Sequence, residues 1–237
     1  MLHKLNLHCH TTFSDGNNTL EENIIAYKEF GFSSAIITDH FYPHYYDSPF
    51  SLNLEKYKLQ LKEAKHLSNK YSIPIIVGIE LGLRKEEILI FNEEVIINLF
   101  KTFCDKKKKD KISLTIKILE YLLSFKEFFA SILCHPTLFD IENNQKFFYR
   151  LFSLIDGYEH FNRGHNCFSD IRPDLPAKLT TLTGFCNSDA HFANDLEFSF
   201  NLYNGNSIKS SEDLISWIKT IKNKDLVLKC KEKEFML

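Results

Sequence analysis

The sequence predicts an α/β fold, a single domain whose strands form a parallel sheet, closed or open. Three observations carry this expectation. Short runs rich in β-branched residues alternate with segments of helical period along most of the chain. No linker, repeat or low-complexity stretch divides the 237 residues, so 1–237 reads as one domain. The residue types that bind metals gather where predicted strands end, the edge at which α/β folds build their sites.

Leu5 to His10 reads as a strand, with Leu5, Leu7 and Cys9 on one face and Asn6, His8 and His10 on the other. Thr19 opens a capping box with Glu22, and the helix it starts should stop at Gly31. Ser34–Thr38 is a second strand, Asn53 to about Lys70 a helix, and Ile73–Leu81 a strand of the buried type, with Glu87–Phe91 as another. Helices are expected at Glu93–Phe103 and Ser113–Phe128, a strand at Ser131–Cys134, a helix at Ile141–Leu154 and a strand at Gly157–Phe161. A Pro-containing helix near Pro173–Leu182 should precede strands at Gly184–Ser188 and Phe198–Tyr203. A helix at Ser211–Lys222 and a strand at Leu226–Cys230 follow.

Composition narrows the function. A chain that is 44% hydrophobic and 25% charged can build a full core, which excludes disorder and disulfide-stapled miniproteins. Lys and Arg number 29 against 31 Asp and Glu, so no electrostatic excess points to a membrane surface or to nucleic acid. Cys9, Cys104, Cys134, Cys167, Cys186 and Cys230 are scattered without a CxxC pair, as expected of reduced thiols in a cytoplasmic protein. The opening MLHKLNLHCHTTF lacks the apolar core of a secretory signal, and no apolar run approaches the ~20 residues of a membrane span. The lysine run at 106–111 reads as a solvated loop, and Trp217 with the Phe-rich segments near 125–152 as core.

His8-Cys9-His10 sets two imidazoles about 7 Å apart on one face of an extended segment, able to clamp one ion or two neighbouring ions. Asp15 follows in the turn Ser14-Asp15-Gly16. Asp39-His40 ends the second predicted strand, Glu80 the third, His135-Pro136 the SILC strand, and Asp189-Ala190-His191 the strand near Cys186. Each has a plain structural reading. A lone His is commonly a hydrogen-bonded structural residue, Asp39 a turn cap, Glu80 a surface carboxylate and Asp15-Gly16 a common turn pair. Together they favour a metal centre, because burying so many ionisable groups without a counter-ion is costly.

The segments HCHTTFSDG, TDH, GIE, CHP, YEHFN and NSDAH, in this order, resemble the PHP (polymerase and histidinol phosphatase) family of metal-dependent phosphoesterases. The resemblance runs from His8 to His191. It implies a distorted (β/α)7-type barrel with two or three divalent ions (Zn, Mn or Fe) at the C-terminal ends of its strands. By motif position, His8, His10, Glu80 and Asp189 would hold the first ion. Asp15, His40 and His191 would hold the second, and Glu80 would bridge to a third that His135 also binds. Many family members supply a further His to that third ion between the Glu and the His-Pro. No His occurs between Glu80 and His135 here, and Glu86 or Glu87 falls near that position. Asn187 stands where Gly is commoner, a change expected to affect the turn more than the ligands.

Such a centre lowers the pKa of a bridging water, and the resulting hydroxide attacks phosphorus in line. Asp189 is expected to orient it, and a third ion, if bound, or His135 if not, to stabilise or protonate the leaving oxygen. Arg163, directly after YEHFN, is the first candidate for bidentate phosphate binding, with a surface-loop arginine as the plain alternative. His165, Arg172 and His44 are further candidates, and Glu159 and Asn162 are as readily structural as substrate-binding. His3, His66 and His160 read as surface or packing residues. The leading expectation is therefore hydrolysis of a small soluble phosphomonoester, such as a nucleotide or histidinol phosphate, rather than of a nucleic-acid polymer. The rivals are a non-enzymatic metal-binding or regulatory module on the same barrel and a metal-dependent C–N hydrolase. The C–N hydrolase would need a metal-bridging Lys that no motif supplies.

Overall fold

The computed structural model describes residues 1–45, 48–83, 85–103, 111–136, 145–163, 167–168, 179–230 and 233–235. It begins with β1 (Leu2–Leu5) and α1 (Leu20–Glu29). The Thr19 hydroxyl accepts from Glu22 N–H while the Glu22 carboxylate accepts from Thr19 N–H, so both halves of the predicted capping box form. The chain then turns through Gly31 at φ 73°, which only glycine adopts without strain. β2 (Ala35–Ile37) and β3 (His40–Phe41) follow, and then α2 (Leu54–Tyr71), the helix the spacing predicts, with Asn53 as its N-cap.

The single strand expected over 73–81 is instead two, β4 (Ile75–Val77) and β5 (Ile79–Gly82), split at Gly78. A Cβ there would meet the Ile90 carbonyl at 2.6 Å, so the break is where one backbone presses on another. β6 (Glu87–Phe91), α3 (Glu93–Phe103) and α4 (Lys111–Leu123) come next, and the expected helix to Phe128 stops short at Leu123. Then come β7 (Ala130–Leu133), α5 (Gln145–Leu154), β8 (Gly157–Asn162), β9 (Cys167–Phe168), β10 (Thr183–Asn187), β11 (Ser199–Asn204), α6 (Ser211–Thr220), β12 (Leu226–Cys230) and β13 (Lys233–Phe235). The lysine run and most of the expected helix near 173–182 lie outside the described residues.

The fold is mixed α/β. A seven-stranded sheet runs β10-β8-β7-β6-β5-β3 with β9 on β8, a pair joins β2 to β4, and a terminal sheet runs β1-β11-β12-β13. The expectation of a parallel sheet is corrected in three places. β6 runs antiparallel to both β5 and β7, β9 runs antiparallel to β8, and every pairing in the terminal sheet is antiparallel. Residues 83–86 are too few for a crossover helix, so β5 and β6 can only form a hairpin. The strand expected at Leu5–His10 is also displaced: it spans Leu2–Leu5, paired antiparallel with Asn201–Asn204 of β11.

Residues 6–10 leave that sheet and run extended between two others. Cys9 bridges Ala190 in parallel, Thr38 N–H donates to Cys9 O (2.8 Å), Gly78 N–H to Ile37 O (2.8 Å) and Glu80 N–H to Asp39 O (3.1 Å). The strands are buried on both faces: Ile88 and Ile90 enter one apolar core with the α1–α5 helices, Leu89 and Phe91 a second beneath α6. Trp217 packs there against Phe185 and Tyr203, as its spacing predicts. No helix among the described residues is long and apolar enough to cross a membrane.

Thr19→Ala removes the reciprocal cap of α1 and should lower stability by about 1 kcal/mol, seen as a lower urea midpoint at unchanged slope. An unchanged midpoint would mean that packing alone holds the helix.

Candidate metal centre

Two buried carboxylates build the frame on which the centre rests. Asp39 accepts from Thr11 N–H (2.8 Å), Thr11 Oγ1 (2.7 Å), Ser14 Oγ and Gln60 Nε2, which ties the loop carrying Asp15 to α2. The loop closes on itself at Gly16, where a Cβ would lie 2.5 Å from the His10 carbonyl carbon. Glu159 on β8 accepts from His8 Nδ1–H (2.8 Å), His135 N–H (2.8 Å), Asn162 Nδ2 (2.7 Å) and Asn187 Nδ2 (3.0 Å). Its role, with that of Asn162, is thus structural. Asn187 also accepts from Leu7 N–H (3.0 Å), and Asn6 accepts from Ser188 N–H (2.8 Å), which fixes residues 6–10 against the end of β10. Asn187 therefore ties residue 7 to the Glu159 frame.

On this frame the predicted ligands converge. His8 Nε2 lies 3.0 Å from Glu80 Oε2 and 3.4 Å from Asp189 Oδ1. His10 Nε2 lies 3.3 Å and 3.0 Å from the same two atoms. Asp15 Oδ2 lies 3.4 Å from His40 Nε2 and 3.5 Å from His191 Nε2, and His10 Nδ1 is 3.9 Å from Asp15 Oδ1. His135 Nε2 stands 3.2 Å from Glu80 and 3.4 Å from Glu87. The donor atoms of His8, His10 and Asp189 form one compact group and those of His10, Asp15, His40 and His191 a second. Those of His40, Glu80 and Glu87 form a third. His10 belongs to the first two groups and His40 to the last two, while Glu80 Oε2 lies within 3.3 Å of a nitrogen of His8, His10 and His40.

Two imidazoles are oriented from behind. His8 gives Nδ1–H to Glu159 and His191 gives Nδ1–H to the Asp189 carbonyl (3.0 Å), so both present Nε2 to the cluster; His40 Nδ1 meets Tyr42 Oη (2.9 Å) and Glu80 Oε2 (2.9 Å) while its Nε2 faces Asp15. His135 and Asp189 carry positive φ values of 24° and 51°, rare for non-glycine residues. His8, His10 and Glu80 are fully buried, whereas Asp15 and His191 side chains keep 31% and 34% of their exposure, so the centre opens on their side. There it adjoins a cavity of about 460 Å³ lined by Asp15, Tyr42, Tyr45, Phe50, Lys85 and Glu87.

Charge pairing sets the protonation of the group. Burial opposes the charged form of His8, yet Glu80, Asp189 and Glu159 raise its pKa well above the ordinary value; Glu80 and Asp15 do the same for His40. His135, despite its burial, is raised to about 9 by Glu80 and Glu159. Asp189 is held far below the carboxylate range by His8 and His10, and Asp15 by His191 and His40, in each case against the effect of burial. Glu87 is pushed up by burial and by the neighbouring charge of Glu80.

A divalent cation fits this set. The donors are imidazoles and carboxylates, and the buried His10 Nδ1 and Glu80 Oε2 make no hydrogen bond although other ligand-type atoms surround them. Of the two acids near the missing third-site His, Glu87 faces the cluster, while a Glu86 oxygen accepts from Lys85 N–H at the surface. Cys134 Sγ also falls beside His8 and Glu80, but burial and the Glu80 charge keep it a thiol. Sequence reasoning set Cys134 aside and overlooked Tyr42; position beside His135 and two residues after His40 was the available signal. Asp39 takes the structural alternative, accepting from Thr11, Ser14 and Gln60. Arg163 stands at the end of β8 with its guanidinium 5.1 Å from the Phe198 ring, and His44 Nε2 bonds Thr115 Oγ1 (2.9 Å). His165 and Arg172 lie outside the described residues. His3 bonds Ser33 and Gly205, a packing role as read.

Residues 6–231 match the family model described as PHP domain. No curated protein gives a significant match. Among solved structures, the chain is similar to a two-domain protein from Bacteroides vulgatus ATCC 8482 that contains a predicted PHP-like metal-dependent phosphoesterase. The TM-score is 0.61 at 17% identity, over 99% of this chain and 66% of that one. The chain thus spans just under two thirds of that protein. It is also similar to PsfC from Pseudomonas syringae PB-5123, with a TM-score of 0.59 at 14% identity, over 91% of this chain and 88% of that one.

The raised histidine pKa values give the metal-free chain a pH dependence with a definite sign. Pairing of His135 with Glu80 and Glu159 contributes stability that is complete below the ordinary value of 6.5 and is lost as pH rises through about 9. The metal-free thermal midpoint should therefore fall between these limits, and less steeply in His135→Ala. A flat midpoint over this range would contradict the pairing.

Proposed function

We propose, since the chain belongs to the PHP domain family, that it is a metal-dependent phosphoesterase acting on a small soluble phosphomonoester such as a nucleotide or histidinol phosphate. The observation that carries this reading is the convergence of His8, His10, His40, His135 and His191 with Asp15, Glu80, Glu87 and Asp189 in one buried cluster beside a cavity. His8, His10, Glu80 and Asp189 would hold a first divalent ion and Asp15, His40 and His191 a second, with His10 close enough to serve both. Glu80, His135 and Glu87 would hold a third. Mixed imidazole and carboxylate donors suit Zn, Mn or Fe.

Such ions, when bound, supply Lewis acidity toward a phosphoryl group and lower the pKa of water toward neutrality. The chain's own residues do the rest. Glu159 fixes the ring of His8, and the Asp189 carboxylate, held by its strained backbone, orients the attacking water. The leaving alcohol would lie in the cavity, whose size suits a small ligand, and His135, where no third ion occupies its Nε2, would serve the leaving oxygen. Arg163, on the rim formed by the end of β8, is proposed to contact phosphate. The (β/α)7 barrel belongs to the same reading. The bonds of Ala190 to His8 and His10, with Cys9–Thr38, Ile37–Gly78 and Asp39–Glu80, would complete a ring of residues 8–10, β2–β3, β4–β5, β6, β7, β8 and β10.

The purified chain should retain transition metal through gel filtration and hydrolyse p-nitrophenyl phosphate. Asp189→Asn and His10→Ala should each lower kcat/KM by at least about a hundredfold, on the scale of losing one well-placed catalytic contact, with the circular dichroism spectrum unchanged. A wild-type chain saturated with Mn or Zn yet inert on a broad phosphoester panel would instead favour the non-enzymatic metal-binding module.

A further inference from the structure

Tyr42 lies outside every motif on which the family resemblance rests, yet it touches the centre twice. Its hydroxyl is 2.9 Å from His40 Nδ1, and Glu87 Oε1 lies 4.0 Å from that same nitrogen, so the phenol and the Glu87 carboxylate are neighbours. With His40 Nε2 turned to Asp15, Nδ1 lies 2.9 Å from both the phenol oxygen and Glu80 Oε2, and where Nδ1–H donates to the phenol, the single phenol proton is left for Glu87. The ring is fixed as well: it stacks on His40 at 4.8 Å and 24°, and it occupies the space where a Cβ on Gly82 would overlap it. Gly82 is the β5 residue paired with Glu87 across the hairpin. Glu87 needs such a hold, because Glu80 repels it and the neighbouring cavity offers it water.

We infer that Tyr42 is a positioning residue that holds Glu87 toward Glu80 and His135, building a carboxylate-rich subsite for an oxygen-preferring divalent cation such as Mn. The inference rests on the phosphoesterase reading and extends it to a residue type absent from the metal motifs. Two carboxylates and one imidazole make this subsite harder than the imidazole-rich positions around His8 and His10, so it should discriminate least in favour of Zn.

Calorimetric titration of the metal-depleted full chain with Mn, and separately with Zn, tests it. Tyr42→Phe keeps the ring and removes only the hydroxyl. It should weaken one Mn equivalent roughly 10–100-fold, the usual effect of losing an outer hydrogen bond to a ligand, and leave the others as in wild type. Glu87→Gln should lose the same equivalent, and the double variant should bind no worse than Glu87→Gln alone. Should Tyr42→Phe fail to fold, Glu87→Gln carries the same test with Tyr42 in place. Wild-type affinities throughout in Tyr42→Phe, or in Glu87→Gln, would overturn the inference and leave the phosphoesterase reading standing. An affected equivalent with strong preference for Zn would overturn the choice of cation. A wild-type chain that binds neither metal would overturn the phosphoesterase reading itself.

Discussion

Asp15, Glu80, Glu87 and Asp189 approach one another among five imidazoles with little water to screen them, and the rest of the structure answers that electrostatic constraint. Carboxylates this close repel, and desolvation raises the cost of each charge. Without metal, protonated histidines offset the repulsion, which is why His8, His40 and His135 hold protons beyond their ordinary range. Metal binding requires those same imidazoles to be neutral, so cation and proton compete for the same charge compensation.

Holding such a cluster together takes an external frame. Asp39 and Glu159 supply it, each a buried carboxylate spent on several donors from different parts of the chain. Neither is grouped with the ligands, yet Asp39 fixes the loop bearing Asp15 while Glu159 fixes both the ring of His8 and the backbone of His135. The left-handed backbone at His135 and Asp189 is the strain this frame sustains. Asn187 and Asn6 perform the matching task for residues 6–10, which belong to no strand and depend on side-chain amides for their position.

The direction of β6 has the largest consequence for the chemistry. In a parallel arrangement the start of β6 would lie at the amino end of β5, far from the ligands. Because the hairpin reverses the chain, Glu87 pairs with Gly82 and stands beside Glu80 and His135. An acid thereby reaches the position where the family resemblance expects an imidazole. The short connection that forces the hairpin could have been seen in the sequence, but the alternation of strands and helices elsewhere outweighed it.

Local rules written in the sequence determined the helix starts at Thr19 and Asn53, the apolar strands, and the residue types of the centre, since capping, periodicity and donor chemistry depend on near neighbours. His8, His10, Asp15, His40, Glu80, His135, Asp189 and His191 could all be named from such motifs. Tertiary structure alone decided which of them meet, the choice of Glu87 over Glu86, the service of Glu159 and Asp39 as anchors, and the place of Tyr42 between two ligands. These depend on strand direction, on register and on atoms more than a hundred residues apart in the chain, such as His8 and Glu159 at a separation of 151. No local pattern encodes such contacts, because they arise only when the whole core has packed.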